Sequence, residues 1–262
     1  DHLAGLDNFC WCDPVASGKT PDGRYKLAQL VRANRALYDY TKILGVPCIS
    51  GKDSMKNDYI IGETKISIPP TLLFSVIGRV EDVRKTVTMD AKRAGDMVYV
   101  LGMTRPELGG SEWYAHHGKV GNSVPKVNGE SARRLYRALS SAIRSGLVAS
   151  CHDCSDGGLA VALAETAFAG GFGMTVDLGW IPAEGIDRDD HLLFSESQSR
   201  FVVTVAPRHR KGFEKILEGN TFAAVGAVMA DGVFRIRGLG RNVIVEERIE
   251  ELNDAWRKPL AF

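Results

Sequence analysis

From Tyr25 onward the apolar residues Leu27, Leu30, Val31, Leu37 and Leu44 fall at helical spacing, and Gly45 stands where such a helix would stop. Val46–Ser50 then reads as a short buried strand, and Lys65–Val83 as strand on either side of the Pro69-Pro70 break. Met97–Gly102 is a further apolar strand. Ala132, Leu135, Tyr136, Leu139 and Ile143 predict a helix over 129–145, stopped by Gly146. Val148–Cys151 reads as strand, 157–169 as an alanine-rich helix closed by Gly170-Gly171, and 208–218 as helix. Strands are expected near 173–178, 200–206, 222–229 and 232–237. Residues 1–20, rich in turn formers and aromatics, read as an ordered loop with at most one short strand. The charged connector 84–96 marks a domain boundary. This mixed order predicts an α+β fold with a substantial sheet, not a doubly wound parallel one.

Composition narrows the function classes. The 262 residues are 44% hydrophobic and 25% charged, ordinary for a globular protein. The formal charge of +1 gives no electrostatic case for nucleic acid or an anionic membrane surface. No apolar run approaches the roughly 18–20 residues that span a bilayer, and the N-terminus is not signal-like. A start at Asp1 instead of Met suggests a piece of something longer. Five irregularly spaced cysteines (Cys10, Cys12, Cys48, Cys151, Cys154) argue against a disulfide framework and for a reducing cytoplasm. Only Cys151-x-x-Cys154 has zinc-like spacing, so buried or incidental thiols are the expectation.

Three polar clusters interrupt this apolar pattern. Ile49-Ser50-Gly51-Lys52-Asp53-Ser54-Met55-Lys56-Asn57 packs a glycine, two lysines, an aspartate and a serine behind a strand-like run. As a loop it would offer N–H groups and cations to phosphate, and oxygens to a metal. As a plain turn it would not need Lys52, Asp53, Ser54 and Lys56 together. Gly51-Lys52-Asp53-Ser54 and Ser17-Gly18-Lys19-Thr20 each resemble part of a P-loop, but the required earlier glycine is Val46 or Asp13, and Pro21 follows Thr20. The second cluster, His152-Asp153-Cys154-Ser155-Asp156-Gly157-Gly158, opens a helix. Asp156 there is an ordinary N-cap or, with Asp153, a Mg²⁺ ligand beside phosphate. His152 reads better as a satisfied histidine at a strand end than as a base. The third cluster is Phe194-Ser195-Glu196-Ser197-Gln198-Ser199-Arg200, with Glu196 in a polar turn between apolar runs. Gly109-Gly110-Ser111-Glu112 could cap a short helix running to His117.

With Gly5–Trp11, Lys26–Ala33, Ile49–Tyr59, Pro69–Leu72, Glu107–Glu112, Asp153–Glu165 and Leu193–Phe201 taken together, nearly the whole chain resembles the second repeat of the phosphoribosylformylglycinamidine synthase family. The resemblance implies the aminoimidazole-ribonucleotide-synthase-like fold. Residues 1–90 would be a partial, barrel-forming, ATP-binding α/β domain, and 95–255 a complete α+β domain with a mixed or antiparallel sheet and packed helices. It implies ATP-dependent conversion of an amide oxygen of formylglycinamide ribonucleotide to an amidine in purine biosynthesis, with ATP and Mg²⁺ as cofactors. Ammonia would come from a glutaminase subunit or domain. The first synthetase repeat would be a partner, and a homodimer through the barrel-forming domain is allowed.

By motif, Asp7, Gly51 and Lys52 correspond to the ATP contacts. Ser54 corresponds to a substrate contact, as do Glu196, Ser197 and Gln198 across the pseudo-repeat. Asp156 and Asp53 correspond to metal ligands, Lys52 standing where the commonest pattern has a metal-binding Asn. The family's catalytic histidines match no residue here, so the chain alone is expected to be inactive. The alternatives are a non-catalytic nucleotide-binding repeat and another ATP-dependent enzyme of the same superfamily.

Overall fold

The computed structural model describes residues 2–260, and the chain divides into two compact units between Glu81 and Asp82. The division precedes the charged connector. Segment 82–96 belongs with the second unit, where Ala91 is buried and its N–H bonds the Thr166 carbonyl.

The first unit opens with β1 (Leu3–Cys10), where the pattern suggested mostly loop. Its Gly, Asp and Asn residues have low strand propensity. It is nonetheless the central strand of a three-stranded sheet, with both edges of its backbone paired. Helix α1 (Gly23–Leu44) ends at Gly45, whose φ of 73° is a left-handed stop. β2 (Cys48–Ser54) returns parallel to β1, so Gly51–Ser54 is the second half of a strand and not the loop expected. A hairpin of β3 (Asp58–Ile61) and β4 (Thr64–Ser67) follows, then β5 (Thr71–Gly78), antiparallel to β1. Phe9, Trp11 and Cys12 form the small core, packed by Leu30, Ala33 and Leu37 of α1 with Ile68 and Leu72. The Trp11 indole N–H donates to the Lys26 carbonyl at 3.1 Å, pinning the helix over one face. Lys65 pairs with Asp13 (3.2 Å) and Asp58 (3.5 Å), tying the hairpin to the segment after β1.

In the second unit the chain runs β6 (Met97–Leu101), α2 (Glu112–His116), α3 (Gly129–Arg144), β7 (Ser150–Asp153), α4 (Gly158–Gly170), β8 (Gly173–Asp177) and α5 (Asp189–Phe194). It continues with β9 (Phe201–Val205), α6 (Arg210–Leu217), β10 (Phe222–Met229), β11 (Val233–Arg237), β12 (Val243–Arg248) and α7 (Ile249–Arg257). The strands form one seven-stranded mixed sheet, ordered β12-β11-β8-β10-β6-β9-β7, in which only β11 and β8 pair in parallel. The expected α+β class is what is found.

Strand alternation decides the packing. Val98, Val100, Met174, Val176 and Val202 meet α4, α5 and α7 on one face. Tyr99, Leu101, Val203 and Val205 meet Leu135, Leu139 and Ala142 of α3 and Phe213 and Leu217 of α6 on the other. The apolar spacing anticipated α3, α4 and α6 but placed nothing over β12 or α7. No helix among the described residues is long and apolar enough to cross a membrane.

Candidate functional site

The first unit brings two of the sequence-predicted residues into register. In the parallel β1–β2 pair, Asp7 lies opposite Gly51, Asn8 opposite Lys52, Phe9 opposite Asp53 and Cys10 opposite Ser54. The Asp7 carboxylate sits directly over the Gly51 backbone. A Cβ at position 51 would come within 2.7 Å of Asp7 Oδ1 and 2.9 Å of Oδ2, so this close approach requires glycine. Asp7 also borders an open groove of 620 Å³ with Asn34, Tyr38, Thr41 and Lys42 of α1.

Because β2 is a strand, its polar side chains separate by face. Gly51 and Asp53 lie on the face of Asp7 and Phe9, and Lys52 and Ser54 on the face of Asn8 and Cys10. The Lys52 ammonium donates to the Ser54 hydroxyl. Asp53 is exposed.

The second unit builds a polar centre on the loop between α5 and β9. Arg200, 1% exposed, is its hub. Its Nε donates to the Ser197 carbonyl (2.8 Å), Nη1 to Thr104 Oγ1 (3.0 Å) and Nη2 to the Ser195 carbonyl. Burial lowers the pKa of this guanidinium, opposed by Cys154, Glu107 and Glu196. Nothing in the sequence beyond an arginine abutting the apolar run Phe201-Val202-Val203 signalled this role.

Glu196, read from the sequence as sitting in a polar turn, is half-buried and bonded at both neighbouring helix starts. Its Oε1 accepts from the Glu112 N–H (2.9 Å) and the Gly157 N–H (2.9 Å), the starts of α2 and α4. A carboxylate there satisfies orphan donors and meets the positive ends of both helices. Gly157 holds the cap position of α4 with φ of 78°, and Asp156, just before it, is exposed and makes no capping bond. Of the two readings of Asp156, the ordinary N-cap is therefore not formed. At Gly158, φ is 64° and a Cβ would stand 2.3 Å from the Ser195 carbonyl, so loop and helix start touch backbone to backbone.

Ser197 is buried, its hydroxyl accepting from the Arg105 N–H (3.0 Å) and donating to the Arg105 carbonyl (3.2 Å). Of the Glu196-Ser197-Gln198 trio, Gln198 alone lines a cavity of 240 Å³, shared with Arg105, Lys126, Arg134 and the Asn128-capped start of α3. Three cations and no acid in that lining favour an anionic ligand. The motif reading did not reach Arg105, Lys126 or Arg134, which are scattered in sequence and meet only through the fold.

His152 Nε2 lies 2.7 Å from Glu165 Oε2, the satisfied histidine the sequence favoured. The cysteines are all free, and burial pushes the Cys151 and Cys154 thiols up to about 12 and about 11, away from thiolate chemistry. Among the described residues no three His, Cys, Asp or Glu side chains converge on a metal position. Mg²⁺ requires only one or two carboxylates when phosphate supplies further oxygens. Exposed single carboxylates such as Asp53 and Asp156 meet that demand; the ammonium of Lys52 does not.

Residues 93–238 match the family described as AIR synthase related protein, C-terminal domain. The chain is 37% identical over 248 residues to the phosphoribosylformylglycinamidine synthase subunit PurL of Alkaliphilus metalliredigens, covering 93% of this chain and 32% of that protein. Thermotoga maritima PurL, in its complex with FGAR, has a similar structure. The TM-score is 0.68 and the identity 20%, over 95% of this chain and 39% of that one. The same fold recurs in Escherichia coli HypE, at a TM-score of 0.65 and 16% identity over 94% and 72% of the two chains. The chain thus spans about a third of the length of the curated relative it matches.

Proposed function

This chain belongs to the AIR synthase-related family, and from that premise we propose that it is the second-repeat part of an ATP-dependent synthetase of purine biosynthesis. The reaction converts formylglycinamide ribonucleotide to its amidine. Phosphoryl transfer to the amide oxygen makes a leaving group, ammonia takes its place, and ADP and phosphate depart. The observation that carries this reading is the Asp7 carboxylate seated over Gly51 across two parallel strands, beside an open groove. In it Asp7 and Gly51 contact ATP on one face of the first unit's sheet, and Lys52 and Ser54 serve phosphate and substrate from the other. In the second unit Gln198 faces an anionic ligand, and Glu196 and Ser197 act by holding the loop that presents it. Mg²⁺ would be held through a single carboxylate, Asp53 in the first unit or Asp156 in the second, and would supply charge neutralisation to phosphate.

The unit ending at Glu81 acts as the barrel-forming, ATP-binding part and the unit beginning at Asp82 as the second domain. The partners are a first synthetase repeat and a glutaminase supplying ammonia, in the cytoplasm. The exposed Ile49, Leu73 and Ile77 of the small sheet support a missing partner surface. PurL structures with bound ATP and with bound FGAR lend the ligand classes.

Titration of Mg²⁺–ATP into the chain tests the reading. Gly51→Ala must displace the Asp7 carboxylate, and Asp7→Asn removes its charge. Each is expected to weaken binding about tenfold or more, the equivalent of about 1.4 kcal/mol. Unchanged affinity in both variants would overturn the assignment. Synthetase turnover by the chain alone, with ammonium as nitrogen source, would overturn its dependence on a first repeat. A second reading, a nucleotide held for structure and not for chemistry, draws on Lys52. Its ammonium can neutralise phosphate yet cannot ligate Mg²⁺. That reading predicts ATP bound equally well with and without Mg²⁺.

A further inference from the structure

At the far end of the seven-stranded sheet lies a second polar cavity, of 190 Å³, that the site above does not use. Strand pairing fixes its place. Met97, Val205 and Ser150 share one end of β6, β9 and β7, while Leu101, Phe201 and Asp153 share the other, beside Arg200 and Glu196. Four to five residues of strand separate the ends, roughly 13–17 Å. The cavity is walled by Lys92 and Arg93 before β6, residues 146–149 before β7, and Arg208 and His209 after β9, with Asp96 as its one acidic residue.

The charges do not cancel within the protein. Lys92 is held by Asp90 at 2.7 Å. Among the described residues, neither Arg93 nor Arg208 is paired with a carboxylate. Arg208 Nε donates to His209 Nε2 at 3.1 Å. Asp96 is 3% exposed, and its Oδ2 is buried without a hydrogen-bond partner. An orphaned buried carboxylate oxygen costs free energy until a donor reaches it. Burial pushes the Asp96 carboxyl up, and Arg93, Arg208 and His209 pull it back toward the ionised form. A cavity of this size exceeds the space of one water several-fold.

The ligand that satisfies both halves of this lining is an anion that brings its own hydrogen-bond donor. Two guanidinium groups take the negative oxygens, and the lone carboxylate takes an O–H. Hydrogenphosphate has this composition and keeps one O–H through the neutral range. Sulfate, with the same shape and charge, has none. We propose that this cavity is a binding site for inorganic phosphate, held by Arg93 and Arg208 and selected over sulfate by Asp96. The inference stands independently of the proposed synthetase function.

Calorimetric titration of the chain with sodium phosphate and with sodium sulfate at pH 8 tests it, with amide chemical shifts of residues 146–149, 208 and 209 reporting location. Phosphate is expected to bind saturably and shift those amides, and sulfate to bind at least ten times more weakly. Asp96→Asn should narrow or invert that preference, because an amide donates to sulfate and no longer serves the phosphate proton alone. A gain in sulfate affinity cannot come from a damaged fold. Arg208→Gln should weaken both anions. Arg134→Gln, in the cavity beside Gln198, should leave these amide shifts unchanged. Equal affinity for phosphate and sulfate, shifts confined to the Arg134 cavity, or no saturable phosphate binding would each overturn the proposal.

Discussion

The two units use apolar residues in opposite ways. In the second, Val98, Tyr99, Val100 and Leu101 run along one strand and are all fully buried, alternate residues feeding cores on opposite faces of the sheet. In the first, Ile49, Ile61, Leu73 and Ile77 are each more than half exposed, and the core is three residues deep. The difference is not one of composition, since both stretches are rich in β-branched and aromatic residues. It is one of closure. Helices cover both faces of the seven-stranded sheet, whereas α1 covers one face of the three-stranded sheet. A chain whose apolar pattern is satisfied in one region and unsatisfied in another points to a surface completed by something else, as the proposed first repeat would do.

The harshest test of that contrast is Arg200→Ala. It would strand the carbonyls of Ser195 and Ser197 and the Thr104 hydroxyl, and leave Glu107 and Glu196 without a counter-charge. Removing one side of a buried charged network costs about 3–5 kcal/mol. Urea unfolding followed through the second unit should show that loss, while the Trp11 indole N–H resonance in the first unit keeps its native position. A loss below about 1 kcal/mol would mean that the second unit is not locked by this hub.

Hydrogen exchange compares the units without mutation. Amides of β6 and β9, in the interior of the large sheet, should open only with global unfolding. Those of β2, an edge strand with mostly exposed side chains, should exchange about a hundredfold faster or more through local opening. Equal protection would mean that the first unit is as self-sufficient as the second, and the case for a missing partner surface would fall.

How much of this was legible follows the same divide. Helix α3 announces itself by apolar residues at 3.6 spacing, and strands β6 and β9 by nearly unbroken apolar runs, each of which finds a core on both faces of the sheet. β1 and the second half of β2 do not. Asp7, Asn8, Gly51, Lys52 and Asp53 have poor strand propensity, and their strands persist because β1 is paired on both edges. Only the family resemblance brought Asp7 and Gly51 to one ligand, since the 43 intervening positions give no local sign of the register. Glu196 was legible as a chemical outlier but not as the acceptor for two helix starts, because Glu112 and Gly157 reach it only through tertiary packing. Helix α7 went unseen because only Ile249 of its residues is fully buried.

Acid should affect the first unit through Asp13, Asp58 and Lys65. The Val15 amide, and behind it Lys65, hold the Asp13 carboxyl below the usual range. For Asp58, burial pushes upward and is outweighed by the Ser67 hydroxyl, the Asp13 amide and Lys65. Carboxyls with lowered folded-state pKa stabilise fully above their unfolded values, and that contribution is lost as pH falls through the lowered ones. The Lys65 ammonium is raised: burial opposes this, and Asp13 and Asp58 prevail. Its contribution is complete below the unfolded value of about 10.4 and is lost as pH climbs beyond it. Stability of the first unit should thus be flat across neutral pH and fall at both extremes. Lys65→Met should shrink both the alkaline fall and the acid one. An unchanged profile in that variant would detach the hairpin from this ion cluster.

The smallest expected effect lies at the edge of the closed unit. The Trp256 indole N–H donates to Glu165 Oε1 at 2.9 Å, while Glu165 Oε2 meets His152 Nε2 at 2.7 Å. The chain of contacts joins α7 to α4 and to the end of β7, with the Phe168 and Trp256 rings 6.1 Å apart. Trp256→Phe keeps a ring against Phe168 and deletes only the N–H. Trp256 is half exposed, so water can take over the freed acceptor, and Glu165 keeps its histidine. The cost should be about 1 kcal/mol or less, the net worth of one hydrogen bond. It should show as faster exchange in α7, with β6 and β9 unmoved. A loss of about 3 kcal/mol would make α7 part of what closes the second unit. No loss at all would leave the ring contact with Phe168 and the apolar contacts of Ile249 and Leu252 as the attachment of α7.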